Sequence, residues 1–245
     1  MSFTPLHGLA FAWRGLTALP LPGPPCGSAR QGVYWFALVG AALGSLLVGA
    51  GELALHWLPP QAAAALLVAL WAMLTGCLHL DGLADSLDGL LPLKTPAERL
   101  LIMKDPHPGA FGVVGLVLQL LLKWQFLSLL LAQGSPWLLV PLLAAARAGA
   151  VWLAWRAPYA RPSGTGQGVV EAAQPQSALV NLGVSLGLAL WLGVGGLAVL
   201  PVVLAEGLRA WCIRRLGGVT GDVLGFQIEL TETLGLVLLA LGEVA

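Results

Sequence analysis

The sequence predicts an all-α protein, a polytopic bundle of about seven transmembrane helices, and three observations support this fold class. The 245 residues are 58% hydrophobic and only 10% charged, whereas about 25% of residues are charged in a typical soluble domain. Apolar runs of about 20 residues, the length of a helix that crosses a bilayer, recur along the chain. Basic residues are concentrated in alternate connections between these runs, as in multi-pass membrane proteins.

The predicted spans follow a proline-rich start. Residues 1–32 contain Leu19-Pro20-Leu21-Pro22-Gly23-Pro24-Pro25, which cannot form a regular helix because proline lacks an N–H donor. Glycines at 193–196 should interrupt an otherwise continuous apolar run. The last span is short, so six spans with a partly inserted tail is the alternative. The predicted spans cover residues 33–57, 61–80, 111–132, 136–155, 178–196, 198–213 and 233–244.

The distribution of Lys and Arg predicts the orientation. The connections near 58–61, 132–136 and 193–197 contain no Lys or Arg. Ten of the 12 basic residues lie in the other connections, namely Arg14, Arg30, Lys94, Arg99, Lys104, Arg156, Arg161, Arg209, Arg214 and Arg215. The positive-inside rule then places the N-terminus in the cytoplasm and the C-terminus outside. We expect a single domain, 1–245, in the inner (cytoplasmic) cell membrane, with its polar motifs on the cytoplasmic face.

Three of the five aspartates lie in one short stretch, His79-Leu80-Asp81-Gly82-Leu83-Ala84-Asp85-Ser86-Leu87-Asp88-Gly89. On a helix, Asp81, Asp85 and Asp88 fall within an arc of about 60°. Like charges so close destabilise a bare helix, so the pattern predicts a bound cation. Oxygen ligands without sulfur favour Mg²⁺ or Mn²⁺. The glycines would let a large ligand approach. A solvated acidic helix start is the alternative.

A second acidic motif runs from Gly217 to Asp222 and continues to Glu229 and Glu232. The three acids share one side of a helix. The glycines and Thr220 would present backbone N–H groups to phosphate oxygens at a helix start. We therefore expect Thr220, Glu229 and Glu232 to bind substrate, and Asp222 to complete a metal site or act as a base. A helix cap followed by a surface turn is the alternative.

Four further residues are candidate substrate contacts. Lys104, Arg147 and Arg161 are suited to phosphate, Arg as a bidentate donor and Lys as a point charge. His79 adjoins the acidic face. Arg147 lies inside a predicted span, so it needs a buried partner, for which Lys123 and Glu206 are the intramembrane candidates. Structural ion pairing is the alternative role for Arg147.

Clustered carboxylates beside cations indicate phosphoryl-group chemistry in a membrane protein. Metal ions would bridge diphosphate oxygens, and a further carboxylate, Asp81 or Asp222, would take the proton of an attacking hydroxyl. The sequence contains no nucleophile elbow and no Walker loop, so direct hydroxyl attack on phosphorus is the simplest scheme. A net charge of zero gives no indication of nucleic-acid binding.

The motifs resemble those of the cobalamin synthase (adenosylcobinamide-GDP ribazoletransferase) family along the whole chain. The Asp81 stretch resembles the family signature. The other matching pieces are Leu19-Pro20-Leu21-Pro22, Lys104-Asp105, Gly109-Ala110-Phe111-Gly112, Arg147, Tyr159-Ala160-Arg161, Gly218-Val219-Thr220-Gly221-Asp222-Val223-Leu224-Gly225 and Glu229-Leu230-Thr231-Glu232. Three residues at two places depart from the pattern. Ala18 stands where the family usually has arginine, and Pro106-His107 stands in place of Ser-Arg.

The resemblance implies the last step of cobalamin nucleotide-loop assembly. A hydroxyl of α-ribazole, or of its 5′-phosphate, attacks adenosylcobinamide-GDP, GMP leaves, and Mg²⁺ is required. A CDP-alcohol phosphatidyltransferase is the alternative enzyme. Its Asp-Gly-x-x-Ala-Arg pattern does not match Asp81-Gly82-Leu83-Ala84-Asp85, which argues against it. A transporter with Lys123, Arg147 and Glu206 lining a path is a third hypothesis. A homo-oligomer is compatible with the sequence.

Overall fold

A computed structural model describes residues 5–21 and 27–242, and helices make up most of them. The described residues form no strand, and one isolated bridge joins Tyr159 to Val219. The prediction of an all-α protein is therefore confirmed. Residues 17–21 are irregular, as expected for the start of the proline-rich stretch, whereas positions 22–26 of that stretch lie outside the described residues.

The helices are numbered in chain order. They are α1 Pro5–Leu16, α2 Ala29–Gly32, α3 Phe36–Leu55, α4 Pro60–Leu74, α5 Leu78–Leu90, α6 Pro96–Ile102, α7 Ala110–Ala132, α8 Leu139–Arg156, α9 Gln167–Ala172, α10 Pro175–Trp191, α11 Leu200–Leu216 and α12 Gly221–Leu241. Short 3₁₀ turns at Pro136–Leu138 and Gly195–Ala198 precede α8 and α11. The second turn confirms that the glycines at 193–196 interrupt the apolar run.

Five helical segments are long and apolar enough to cross a membrane within the described ranges: α3, α7, α8 and α11 with their preceding turns, and α12. The α4–α5 pair raises the number to six if it counts as one broken span. These numbers rest on length and composition. They support a multi-pass membrane protein, while the predicted count of seven is not confirmed. The predicted span at 178–196 corresponds to α10, which has only 17 residues.

The predicted span at 61–80 is instead broken by two left-handed residues. Gly76 has a φ of 60° and Cys77 a φ of 58°, and glycine adopts this conformation far more readily than cysteine. The chain bends by 86° between α4 and α5. As a result α5, which carries His79 and the aspartates, runs almost perpendicular to α4.

Helices α8 and α12 form the centre of the bundle. In an apolar 18-residue stretch of each of these two spans, 78% of the residues are buried, against 28% in the corresponding stretch of α7. Small residues allow this packing: a Cβ atom at Gly44 would lie 2.7 Å from the Leu139 carbonyl oxygen, so α3 approaches the backbone of α8 closely. The partly apolar outer faces of α7 and α11 are left for lipid.

A turn and the short helix α6 follow residue 94, and they support the end of α5. Thr95 and Glu98 form a capping box at the start of α6. The backbone hydrogen bond from Thr95 holds the pKa of Glu98 below its ordinary value. Arg99 is buried and donates to the carbonyl oxygens of Gly89 and Leu90 at 2.9 and 2.6 Å. These bonds satisfy carbonyl groups that the end of a helix leaves unpaired.

Candidate active site

Three carboxylates meet where α5 packs on the first turn of α12. Asp81 and Asp85 come from α5, and Asp222 from the start of α12. A Cβ atom at Gly82 would lie 2.7 Å from the Asp222 carbonyl oxygen, and one at Gly225 would lie 3.3 Å from the Cα of His79. Gly82 therefore serves close packing of two helices, where the sequence suggested room for a large ligand. Gly89 likewise faces the Met103 side chain.

Arg161 lies beside these carboxylates. Its Nη1 is 2.9 Å from Asp222 Oδ2, and its Nη2 donates to the Met103 carbonyl oxygen at 3.3 Å. The segment that carries it is fixed to the chain before α12: Ala160 N donates to Val219 O at 2.8 Å, and Val219 N donates to Pro158 O at 2.9 Å. The structure thus brings together three regions that are distant in sequence.

Thr220 holds Asp222 in place. It is the N-cap of α12, where its hydroxyl oxygen accepts from the Val223 N–H at 3.4 Å, and the hydroxyl donates to Asp222 Oδ2 at 3.1 Å. Thr220 is fully buried. Its described partners are therefore protein groups, in agreement with the helix-cap alternative.

Negative charge exceeds positive charge around Asp85. The charges of Asp81, Asp222 and Asp88 all act on this carboxylate, and among the described residues Arg161 is the cation that opposes them. Asp81 is exposed, and Asp85 and Asp222 are half-buried. Such a cluster of oxygen donors is suited to a divalent cation.

No group of three His, Cys, Asp or Glu side chains in the described part of the chain is close enough to hold a metal ion by itself. Mg²⁺ does not require such a group, because it keeps several waters and binds through one or two carboxylates plus substrate phosphates. The donor set of Asp81 and Asp85 fits an ion shared with a diphosphate.

Asp88 has partners that the sequence did not predict. Its Oδ2 accepts the Gly109 N–H at 2.7 Å and its Oδ1 accepts the Gly112 N–H at 2.9 Å. Asp88 therefore caps α7, and any Cβ atom at Gly109 or Gly112 would collide with the carboxylate. The glycines of the Gly109-Ala110-Phe111-Gly112 motif make room for this cap. Its two oxygens are directed at backbone donors, although the sequence suggested a metal ligand.

Four predicted or suspected polar residues form a buried ionic cluster, made of Lys123 from α7, Arg147 from α8, and Glu229 and Glu232 from α12. Lys123 Nζ is 2.7 Å from Glu229 Oε2 and 2.6 Å from Glu232 Oε2. Arg147 Nη1 binds Glu232 Oε1. Each of the four is at most 3% exposed.

The position of the buried ionic cluster differs from the prediction. The sequence placed Glu229 and Glu232 in a cytoplasmic segment, but α12 begins at Gly221, so both lie inside a candidate span. The expected partners of Arg147, Lys123 and Glu206, are not its partners in the structure. Arg147 binds Glu232, which Lys123 also binds, and Glu206 binds Arg156 and Arg209 instead. The geometry agrees with the structural-pairing alternative for Arg147.

A cavity of about 320 Å³ opens beside the carboxylates. Asp81, Asp222 and the buried His79 line it, together with Arg14 of α1, which the sequence analysis did not single out. No motif marks Arg14, and only the cavity that α1 lines together with α5 and α12 shows its relevance. None of the four described members of the buried ionic cluster lines this cavity.

The loop before α7 lies nearby but outside the cavity. Lys104 is exposed and follows Met103, whose carbonyl oxygen binds Arg161. His107 is also exposed and donates its backbone N–H to Asp105 Oδ1 at 2.9 Å. This backbone hydrogen bond is the main reason why the pKa of Asp105 is below its ordinary value, and the hydrogen bond with the His107 imidazole lowers it further. The described partner of His107 is thus its own loop.

Fold and site together define a class: an integral membrane protein with an acidic, oxygen-rich centre at one end of a helical bundle, suited to phosphate chemistry. Within that class the family is clear. The sequence model of the cobalamin-5-phosphate synthase family matches residues 8–240. The chain belongs to this family, as the motif resemblance predicted.

Relatives are similar over almost their whole length. A protein of Pseudomonas paraeruginosa is 44% identical over 244 residues, which cover 96% of this chain and 98% of the relative. One of Chlorobium phaeobacteroides is 40% identical over 239 residues, covering 94% and 95%. Both are named adenosylcobinamide-GDP ribazoletransferase. No solved structure matches the chain.

Proposed function

We propose that this protein is an adenosylcobinamide-GDP ribazoletransferase, a single-domain membrane enzyme that joins α-ribazole or its 5′-phosphate to adenosylcobinamide-GDP. Family membership and the names of relatives at 44% identity support this function. The observation on which the proposal depends most is the meeting of Asp85 with Asp81 and Asp222, the two carboxylates that line the cavity. It favours diphosphate chemistry over the transporter alternative.

Asp81 and Asp85 would hold Mg²⁺ against the diphosphate, with Asp88 placing the start of α7. Mg²⁺ would neutralise the charge of the phosphate oxygens and of the departing GMP. Arg161 would turn from Asp222 toward a phosphate oxygen, with Lys104 as a further cation nearby. Both Asp81 and Asp222 line the cavity. A metal ligand is the weaker base, so Asp222 is the better candidate to accept the proton.

The reaction would then be a direct displacement. The ribose hydroxyl oxygen bonds to the cobinamide-side phosphorus, and the bond between that phosphorus and the bridging oxygen breaks. GMP leaves with the bridging oxygen, and the hydroxyl proton passes to the carboxylate. The buried ionic cluster would act indirectly by fixing α12, which carries Asp222. Under this proposal Arg147, Glu229 and Glu232 influence substrate binding only through that helix.

The direct test is GMP release by purified protein in lipid. With adenosylcobinamide-GDP and α-ribazole present, we expect GMP to accumulate in Mg²⁺ and the release to stop in excess EDTA and resume when Mg²⁺ is restored. Absence of GMP under every condition would overturn the transferase proposal. Equal release in EDTA would leave the transferase standing and refute the metal.

We also propose that the site faces the cytoplasm from the inner membrane. Arg161 contacts Asp222, and Lys94 and Lys104 lie in the segment between α5 and α7, which fits the positive-inside rule. Exposed Ser163, two residues from Arg161, allows a test. In a cysteine-free background, Ser163→Cys should react with a membrane-impermeant thiol reagent in inverted vesicles and not in right-side-out vesicles. The opposite pattern would reverse the topology.

A further inference from the structure

The cavity beside the carboxylates has room for one nucleoside. Its volume of about 320 Å³ is in the range of pockets for small organic ligands. A nucleoside with a two-ring base fits such a space, whereas a corrin macrocycle with its side chains is several-fold larger. The cobinamide part of the donor must therefore lie elsewhere, which leaves the ribazole acceptor and the guanosine of the donor as possible occupants.

The walls of the cavity favour the ribazole. Phe36, Leu16 and Ile228 give it a buried apolar surface. The base of ribazole is a dimethylbenzimidazole, an apolar bicycle with one unsubstituted ring nitrogen. Guanine carries several donors and acceptors, each of which would lose free energy without a partner in such a place. The apolar part of the wall thus discriminates between the two bases.

His79 supplies a polar group on this wall. It lines the cavity, it is only 3% exposed, and its Nδ1 is buried with no hydrogen-bond partner among the described protein atoms. A neutral imidazole offers one N–H donor. The unsubstituted nitrogen of a benzimidazole is an acceptor, so a bound base would give the His79 ring a partner that the protein does not.

Arg14 adds a cation from α1. Its Nη2 donates to the Leu21 carbonyl oxygen at 3.0 Å, and the half-buried side chain lines the cavity. Asp81 and Asp222 line it from α5 and α12. A guanidinium binds a phosphate through two parallel N–H···O bonds. Arg14 is therefore suited to the 5′-phosphate of a phosphorylated acceptor, while the carboxylates are near the hydroxyl that reacts.

We propose that this cavity is the acceptor subsite: it takes the benzimidazole of α-ribazole against its apolar wall and His79, and Arg14 binds the 5′-phosphate when the acceptor carries one. The inference rests on the proposed transferase function. It assigns Arg14 as a specificity-determining residue that distinguishes ribazole 5′-phosphate from ribazole.

Gly15 provides a test of the subsite. It lines the cavity, and a Cβ atom there would meet no atom within 4 Å. Gly15→Leu should fill the space and raise the KM for α-ribazole at least about 10-fold, with the KM for adenosylcobinamide-GDP unchanged. Gly183→Leu is a matched control, since a Cβ at this distant helical glycine also meets nothing. It should leave both KM values unchanged.

Arg14→Gln tests the second half of the proposal. A lost charge-assisted phosphate contact should raise the KM for ribazole 5′-phosphate about 10- to 100-fold, with the KM for ribazole changed less than about 3-fold. An equal rise for both acceptors would refute the phosphate role. This comparison does not depend on the Gly15→Leu variant folding well.

The outcomes separate failure of the subsite from failure of the function. If wild-type protein releases GMP but Gly15→Leu raises only the KM for adenosylcobinamide-GDP, the cavity binds the guanosine and the proposal is overturned. Unchanged KM values in Gly15→Leu would overturn it too. If wild-type protein releases no GMP, calorimetric titration with α-ribazole alone decides: binding that Gly15→Leu abolishes supports the subsite, and its absence overturns it.

Discussion

The acidic site and the buried ionic cluster are built from the same residue types, yet the protein treats them in opposite ways. In the buried ionic cluster two cations face two carboxylates, all inside the bundle. The acidic site consists of Asp81, Asp85 and Asp222, with Arg161 as the opposing cation. Asp81 and Asp222 line the cavity, and Asp81 is exposed. The cluster has two charges of each sign and is neutral without a ligand. The acidic site has excess negative charge, which a substrate-bound cation would balance.

This difference shows that carboxylate spacing alone does not identify a metal site. Asp81 and Asp85 are four residues apart on α5, and Glu229 and Glu232 three apart on α12. What separates the two pairs is the nearest basic residue: Lys123 reaches both glutamates at hydrogen-bond distance. Substitutions in the two regions test this contrast.

The largest effect is expected inside the buried ionic cluster. Arg147→Met should leave Glu232 with Lys123 as its remaining cationic partner and destabilise the protein by about 3–5 kcal/mol, the usual cost of breaking a buried pair. Thermal unfolding in detergent measures the loss. The double variant Arg147→Met, Glu232→Gln removes one charge of each sign and should recover part of the stability. A single variant as stable as the wild type would show that the cluster does not hold the fold.

Asp85→Asn should reduce activity without reducing stability, in contrast to Arg147→Met. Removing one of several repelling carboxylates should leave stability unchanged or slightly higher, while GMP release falls at least about 100-fold, equivalent to about 2.7 kcal/mol of lost stabilisation. Steady-state assays across a Mg²⁺ titration, with unfolding temperatures measured in parallel, test both halves. Turnover close to that of wild type would remove Asp85 from the site.

Asp88→Asn should have the smallest effect. Asparagine keeps one acceptor for the Gly109 and Gly112 N–H groups, so we expect a stability loss of about 1–2 kcal/mol. Activity should fall far less than in Asp85→Asn, with the Mg²⁺ dependence unchanged. If instead activity collapses and the Mg²⁺ requirement rises, Asp88 is a metal ligand and the three-aspartate prediction is correct.

Local patterns were enough to predict the fold class and most residues near the site. Apolar runs, the acidic stretch before residue 90 and the glycine-rich start of α12 are features of contiguous sequence. The partners of these residues lie far away in the sequence, so local patterns do not reveal them. Lys123 and Glu232 are 109 positions apart, and Asp88 caps a helix whose N-cap is 21 residues further on. Carboxylate pairs of similar spacing therefore looked equivalent in the sequence, and only tertiary packing distinguishes their partners.

The backbone break was equally hidden. Residues 61–80 read as one apolar run, because Gly76 is a single glycine and Cys77 is not a residue that favours a left-handed conformation. Beyond the bend, α5 packs on α12, where Gly82 and Gly225 allow close approach. The bend replaces a longer straight span with a shorter one and a transverse helix, which accounts for part of the difference in span count.

The acidic site and the buried ionic cluster share α12, so the cluster restricts how far this helix can move in the membrane. Glu232 lies ten residues along the same helix from Asp222 and is held by Arg147 and Lys123 on two other spans. An axial slide of α12 would separate these charges inside hydrocarbon. When bilayer thickness changes, the lipid must therefore deform around the protein, at a modest cost per ångström of mismatch. Turnover should accordingly stay constant between thin and thick bilayers, since Asp222 cannot drift away from Asp85.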